Sequence, residues 1–350
     1  MLIEASAIES VLAQLGPESW QPYSDMPLPG WSNNTFTLFN MAHAPLANTR
    51  PVHTAVCSIP FDSTASTRVG ARKGGFAIRE ASLALSAQMA SRGAIELQCM
   101  RTNKRFCPVE LDAVDFGDLH TFPSSPASQV AATAAEIYRV ASLCRRAIIL
   151  GGEHTLSYPC FYGIAKYCRE HKGLRLGYLQ IDHHFDFGRI ATLHGPYYHG
   201  SNARRISEIP WVEAHHMAFL GQGDFTSLRQ YDELRARGVH ISNIAAIRKR
   251  GLEGELRATI EALLWHCDAL YVSIDIDVCD MSVAPGTGHF TIGGISAAEL
   301  LDVVRILRDY PVRALDIMEV SPALDPTERT AGLVSRALFE YLLMQEVQTD

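Results

Sequence analysis

Leu179-Gln180-Ile181-Asp182-His183-His184-Phe185-Asp186 is a short apolar run that ends in a cluster of metal-ligand side chains. In an extended backbone residues two apart point to the same side, so Asp182, His184 and Asp186 are expected to converge beyond a strand end. Leu270-Tyr271-Val272-Ser273-Ile274 repeats the pattern and delivers Asp275 and Asp277, again two apart. A third run, Ala147-Ile148-Ile149-Leu150, leads into Gly151-Gly152-Glu153-His154, where the glycines permit a tight turn and close backbone approach. Three strand ends carrying ligands are unlike chance decoration, and they call for a fold that sets such ends side by side.

The rest of the chain supplies that fold. Apolar strands are expected at Thr54 to Ile59, Ala113 to Phe116, Ala147 to Leu150, Arg175 to Ile181, Met217 to Leu220, Ala269 to Asp275 and Val312 to Glu319. Amphipathic helices are expected between and after them: Ala77 to Ser91, Ser128 to Arg145, Pro159 to His171, Phe225 to Arg237, Leu252 to Cys267, Ser296 to Asp309 and Thr327 to Gln345. Strands alternating with helices predict one α/β domain over 51–350, three-layered, with a mostly parallel, doubly wound sheet covered on both faces. In such sheets ligands bind outside the carboxyl ends of the strands, where the Asp and His clusters fall. Residues 1–50, rich in Pro and Asn with one helical piece from Ile3 to Leu15, read as an N-terminal arm.

Charge and composition narrow the function. A net charge of −7 over 350 residues disfavours a nucleic-acid or membrane-surface binder. No apolar run reaches the length of a membrane span and the N-terminus lacks the marks of a signal peptide, so a cytoplasmic location is expected. Eight cysteines are scattered singly and read as free thiols, Cys279 among them. No Gly-x-Gly-x-x-Gly or P-loop lysine motif points to a nucleotide.

His154, Asp182, His184, Asp186, Asp275 and Asp277 exceed what one tetrahedral zinc needs and suit two harder divalent cations. Mn²⁺ is the first expectation, with Ni²⁺ the alternative and Co²⁺ or Fe²⁺ also compatible. Such a pair activates water near neutral pH, so metal-assisted hydrolysis is the expected chemistry.

Three motifs, Gly-Gly-Glu-His at 151–154, Asp-His-His-Phe-Asp at 182–186 and Ser-Ile-Asp-Ile-Asp-Val-Cys-Asp at 273–280, resemble the signatures of the ureohydrolases, the arginases and agmatinases. Further segments are similar to the family's: Pro60-Phe61-Asp62 with Arg68-Val69-Gly70-Ala71-Arg72, Ala77-Ile78-Arg79-Glu80-Ala81-Ser82, Asp115-Phe116-Gly117-Asp118, Ala284-Pro285-Gly286-Thr287-Gly288 and Asp316 to Pro322. The resemblance spans residue 53 to the C-terminus and implies the arginase-like fold. It also implies that Asp182 and Asp275 bridge the two metals, His154 and Asp186 complete one site, and His184 and Asp277 the other. Glu319 matches the acidic residue that faces the guanidinium, a contact suited to paired charge-assisted hydrogen bonds. His199, preferred over His194, matches the loop histidine that helps proton transfer to the leaving amine. With Asp186, these two form the expected catalytic set. A trimer or hexamer is implied, and a mixed assembly with a paralogous chain stays open.

Departures from the family bear on the substrate. Glu153 stands where Asp is common, His183 where Ala is common, His289-Phe290 replaces Thr-Pro, and Gly221-Gln222-Gly223 replaces Gly-Ile-Arg. The loop from Phe187 to Tyr198 lacks the Asn-x-Ser by which arginases hold an amino-acid head group. Tyr197, Tyr198, His289 and Phe290 suggest an aromatic wall that holds a small or alkylated cation. The leading expectation is an agmatinase-like hydrolase of a guanidino compound such as agmatine or a guanidino acid. Free guanidine, an alkylated biguanide such as metformin, and formimidoyl-glutamate are the alternatives. A structural or regulatory subunit of a hetero-oligomer is the non-enzyme alternative.

Overall fold

The computed structural model describes residues 36–46, 49–91, 96–223 and 225–347. Its strands are β1 (Ala42–His43), β2 (Val52–Ser58), β3 (Leu97–Cys99), β4 (Lys104–Pro108), β5 (Ala113–Asp118), β6 (Cys144–Leu150), β7 (Leu176–Ile181), β8 (Met217–Leu220), β9 (His240–Ser242), β10 (Ala269–Asp275), β11 (Val312–Met318) and β12 (Met344–Glu346). Nine of them form one sheet in the order β1-β5-β2-β6-β11-β10-β7-β8-β9. Every pairing in it is parallel. The described helices are α1 (Gly74–Ser91), α2 (Pro126–Leu143), α3 (Ser157–Lys172), α4 (Asn202–Ile206), α5 (Leu228–Ala236), α6 (Ile244–Arg250), α7 (Leu252–Leu264), α8 (Ala297–Leu307) and α9 (Arg329–Leu343).

Both faces of the sheet are covered, which is why β7 and β10 are buried along their whole length and read as continuous apolar runs. One core joins Ala147 and Ile149 of β6 to α2, α3 and α5 through Ile137, Phe161 and Leu234. The other joins Ile148 and Leu150 to α1, α7, α8 and α9 through Ile78, Leu256, Val303 and Val334. The three-layer α/β/α expectation therefore holds. So do the seven expected strands, with ends shifted by a few residues.

Several short pieces escape the sequence pattern. β3, β4 and β12 make a small antiparallel sheet, order β12-β4-β3, so the helix expected to run to Gln345 stops at Leu343 and its tail turns into strand. The helix expected to reach Arg145 stops at Leu143, because Cys144 already pairs with Val52 across the sheet. The edge strands β1 and β9 have two and three residues, too few to show a period. The helical piece expected at Ile3 to Leu15 lies outside the described residues. At the end of the expected arm, Leu38 is buried, its backbone N–H donates to Asp115 at 2.9 Å, and β1 pairs with β5.

The strand order decides where chemistry can happen. β6, β11, β10 and β7 are consecutive neighbours, so the turns after them lie side by side. These strand ends and turns carry His154, Glu319, Asp275 with Asp277, and Asp182 to Asp186, which come within reach of one another across strands about 4.8 Å apart.

Candidate metal centre

The turn after β6 needs its glycines. A Cβ on Gly152 would stand 1.8 Å from the backbone oxygen of Phe61, and one on Gly151 would meet the Met318 sulfur at 1.8 Å. The first clash is with main chain and has no side-chain relief. Gly152→Ala is accordingly expected to cost about 2–4 kcal/mol in chemical denaturation and to weaken metal retention, since His154 follows two residues later. A variant as stable as the parent would mean that the turn is not set by this contact.

His154 is fully buried. Its Nδ1 lies 3.2 Å from Asp182, 2.9 Å from Asp186 and 3.1 Å from Asp275, yet makes no directed hydrogen bond. Its Nε2 meets Ser273 Oγ at 2.9 Å, and that hydroxyl meets Ser157 Oγ at 3.0 Å, which orients the ring from behind. His184 Nδ1 stands 3.0 Å from Asp277 and 3.6 Å from Asp182.

Two groups of donors emerge: His154, Asp182, Asp186 and Asp275, then Asp182, His184 and Asp277. Asp182 belongs to both, with Oδ2 toward His154 and Oδ1 toward His184. Gln180 Nε2 donates to Oδ2 at 2.6 Å and the His184 backbone N–H donates to Oδ1 at 2.6 Å, so neither oxygen is free to turn away. Asp275 joins only the first group here, with its other oxygen accepting from Asp277 N at 2.9 Å.

These donors fit divalent cations by two measures. Ligand atoms each about 2.1 Å from a shared ion and at right angles around it lie about 3.0 Å apart, the spacing found round His154 Nδ1. His154 Nδ1 and Asp277 Oδ1 are buried polar atoms without a hydrogen bond, as expected of ligand atoms. Burial, then repulsion from neighbouring carboxylates, pushes Asp275 up to about 8. Burial, followed by Asp182, raises Asp186 to about 6, and burial likewise raises Asp277 to about 6. Carboxylates packed this tightly stay anionic only against concentrated positive charge.

The convergence is not the work of an extended strand. β7 ends at Ile181, and Asp186 adopts φ +47°, a left-handed conformation unusual for a non-glycine residue. The turn, not strand alternation, aims Asp186 back at His154. Glu319, the first residue past β11, is likewise left-handed at φ +65° and accepts the His154 backbone N–H at 2.8 Å. Strain of this kind concentrates at functional sites.

A cavity of about 300 Å³ opens beside the cluster, lined among others by His184, Asp186, Asp275, Asp277, Tyr198, His199, His289 and Glu319. His289 stacks on His199 with centroids 5.3 Å apart, and meets His184 edge-on at 5.6 Å. Burial, then His289 and His154, pushes His199 down to about 3, so the ring is neutral at pH 7. His194 instead sits in a small hairpin closed by Ala191 and Gly195, away from the cavity.

Two expected wall residues are elsewhere. Tyr197 stacks on Tyr158 at 6.3 Å against the core, and Phe290, half exposed, lies under the Arg68 guanidinium at 5.2 Å. Neither lines the cavity: Tyr197 is held against the core by Tyr158, and Phe290 is turned to Arg68. Ser66, Phe225, Thr226, Ser227 and Gln230 line it without having been expected. Ser66 falls between Asp62 and Arg68, inside a recognised motif, and no pattern in the sequence marks it. His183 packs its ring on Gly223, where a Cβ would stand 1.6 Å from the imidazole, and Cys279 is fully buried in the core.

A model of the arginase family matches residues 52–344, and the chain belongs to that family. A human mitochondrial guanidino acid hydrolase is 29% identical over 306 residues, 82% of this chain and 77% of its own. An agmatinase of Salmonella paratyphi B is 26% identical over 291 residues, 83% of this chain and 86% of its own. The solved structure of proclavaminate amidino hydrolase from Streptomyces clavuligerus superimposes with a TM-score of 0.72 at 25% identity, covering 87% of this chain and 96% of that one. The protein is thus a hydrolase of C–N bonds in guanidino or amidino compounds, from a family with a dinuclear metal centre. No described helix is long and apolar enough to cross a membrane.

Proposed function

We propose that the chain hydrolyses a small guanidino compound in the manner of an agmatinase, with two divalent ions, Mn²⁺ first and Ni²⁺ second, held by His154, Asp182, His184, Asp186, Asp275 and Asp277. The observation that carries this is the buried convergence of His154 with three carboxylates, sharing Asp182 with a second donor group. When bound, the ions supply Lewis acidity and activate water for attack on the guanidinium carbon.

The chain's own residues do the rest. Glu319, buried beside the cluster, offers the carboxylate that pairs with and orients a guanidinium. His199, neutral at rest, lines the same cavity and relays the proton released by the attacking water to the leaving amine. Tyr198, His289 and the highly exposed Phe225 lie along the cavity, and their rings favour a cationic or alkylated group over a bare carboxylate tail. Agmatine-like compounds therefore lead, with free guanidine or an alkylated biguanide second, then guanidino acids and formimidoyl-glutamate. We expect the chain to assemble as a trimer or hexamer and to act in the cytoplasm.

The test is urea or ammonia release from agmatine, guanidinobutyrate, arginine, guanidine, formimidoyl-glutamate and metformin, with the purified chain loaded separately with Mn²⁺ and Ni²⁺. Turnover of one guanidino compound establishes reaction, substrate and metal together. Silence across the panel with both metals bound would move the assignment to a subunit that needs a paralogous partner.

Glu319→Gln keeps the oxygen that accepts the His154 N–H but removes the charge. It is expected to retain both metals while kcat/KM for a guanidinium substrate falls about 100-fold. Unchanged kinetics with full metal content would remove Glu319 from substrate binding.

A further inference from the structure

The segment carrying Ser66 is pinned on both sides. Thr64 N–H donates to Glu153 Oε2 at 3.1 Å, and its hydroxyl also bonds that buried carboxylate. Beyond Ser66, Arg68 donates to the carbonyls of Gly288 and Thr287 at 3.1 Å each. Glu153 is longer by one methylene than the Asp common at its position, and here that reach is used on Thr64. The pins hold Ser66 against the ring of His199, 133 residues further along the chain.

Two groups of Ser66 meet one ring nitrogen. The backbone N–H donates to His199 Nε2 at 3.2 Å, and the hydroxyl lies 2.7 Å from the same atom. A backbone N–H has no capacity to accept, so Nε2 must present its lone pair, and a neutral imidazole then carries its proton on Nδ1. Nδ1 is 3.8 Å from Glu319 Oε1, beyond hydrogen-bond reach, and both residues line the cavity.

We propose that Ser66 is a positioning residue: its backbone N–H and hydroxyl fix His199 as the Nδ1–H tautomer, so that the transferable proton faces Glu319 and the substrate. This rests on the proposed role of His199 as proton donor. Overall one proton passes from the attacking water to the leaving nitrogen as the C–N bond breaks: Nδ1–H donates to that nitrogen, and the proton released by the water replaces the one it gives in the same step, so the ring is neutral before and after. Ser66 itself forms and breaks no bond.

Two measurements test it. Neutron diffraction of hydrogen–deuterium-exchanged crystals is expected to show density on Nδ1 of His199 and none on Nε2. Ser66→Ala, at an exposed position, is expected to lower kcat about 5-fold with KM changed less than about twofold, and Ser66→Thr to restore it. Ser66→Pro, which removes the backbone donor, is expected to lower kcat further. A hydrogen on Nε2 in the parent protein overturns the proposal whatever the variants do. So does an unchanged kcat in Ser66→Ala where His199→Ala is inactive. An active His199→Ala would instead reject the proton-donor role itself, while the neutron map would still report the tautomer.

Discussion

Asp182→Ala is expected to strip both metals and lower turnover at least about a thousandfold, because this one carboxylate faces both donor groups. Its Oδ2 looks toward His154 and its Oδ1 toward His184, each oxygen steadied by a hydrogen bond from the protein. Removing it takes a ligand from each group at once. With the ions gone, the remaining buried carboxylates lose the positive charge that would hold them anionic. Asp186→Ala, by contrast, takes a ligand from the first group alone and is expected to leave the second ion in place. Metal analysis after desalting separates the two variants: less than about one ion per chain for Asp182→Ala, and at least about one for Asp186→Ala. Two ions per chain in Asp182→Ala, with turnover within tenfold of the parent, would end the shared-ligand reading.

Much of this site was legible because its residues are short-range in sequence. Asp182, His184 and Asp186 sit within five positions, Asp275 and Asp277 within three, and each group follows an apolar run long enough to read as a strand. A buried parallel strand announces itself through that run, and ligands at its carboxyl end follow from the architecture. The reason given by spacing was nevertheless incomplete. Asp186 reaches His154 through a left-handed residue, and a backbone conformation of that kind leaves no mark in a non-glycine side chain. Tyr197 and Tyr198 are adjacent and chemically alike, yet one stacks on Tyr158 in the core and the other lines the cavity. Which of the two faces inward is set by tertiary packing. Ser66 was illegible for the opposite reason: its partner is 133 residues away, and an exposed serine in a loop has no periodicity to betray it. The small sheet of β3, β4 and β12 escaped because strands of three to five residues fall below the length at which alternation can be read.

Arg79→Met is expected to destabilise the fold by about 3–5 kcal/mol without touching the metal cluster directly. Arg79 is 1% exposed, and it spends all five of its N–H donors inside the protein. Nε and Nη2 grip Asp115 at 2.9 and 2.8 Å, Nη2 also reaches the Gly117 carbonyl at 3.0 Å, and Nη1 holds Asp118 at 2.8 Å and Ser58 at 3.0 Å. The residue thereby ties α1 to β2 and β5. Asp115 in turn accepts the backbone N–H groups of Leu38 and Gly117, so the same clamp reaches the segment before β1. Two motifs that resemble family signatures, around Arg79 and around Asp115, thus meet in one structural joint rather than at the reacting atoms. Without the guanidinium, Asp115 keeps a fully buried charge with no cation beside it. Arg79→Lys is expected to recover only part of the loss, since an ammonium offers three donors and no planar fork. Arg79→Met with Asp115→Leu should also fall short of the parent, because it orphans the N–H groups of Leu38 and Gly117. Urea unfolding with metal chelated reads the fold alone. A loss below about 1 kcal/mol for Arg79→Met would show that water or a rearranged Asp115 replaces the clamp.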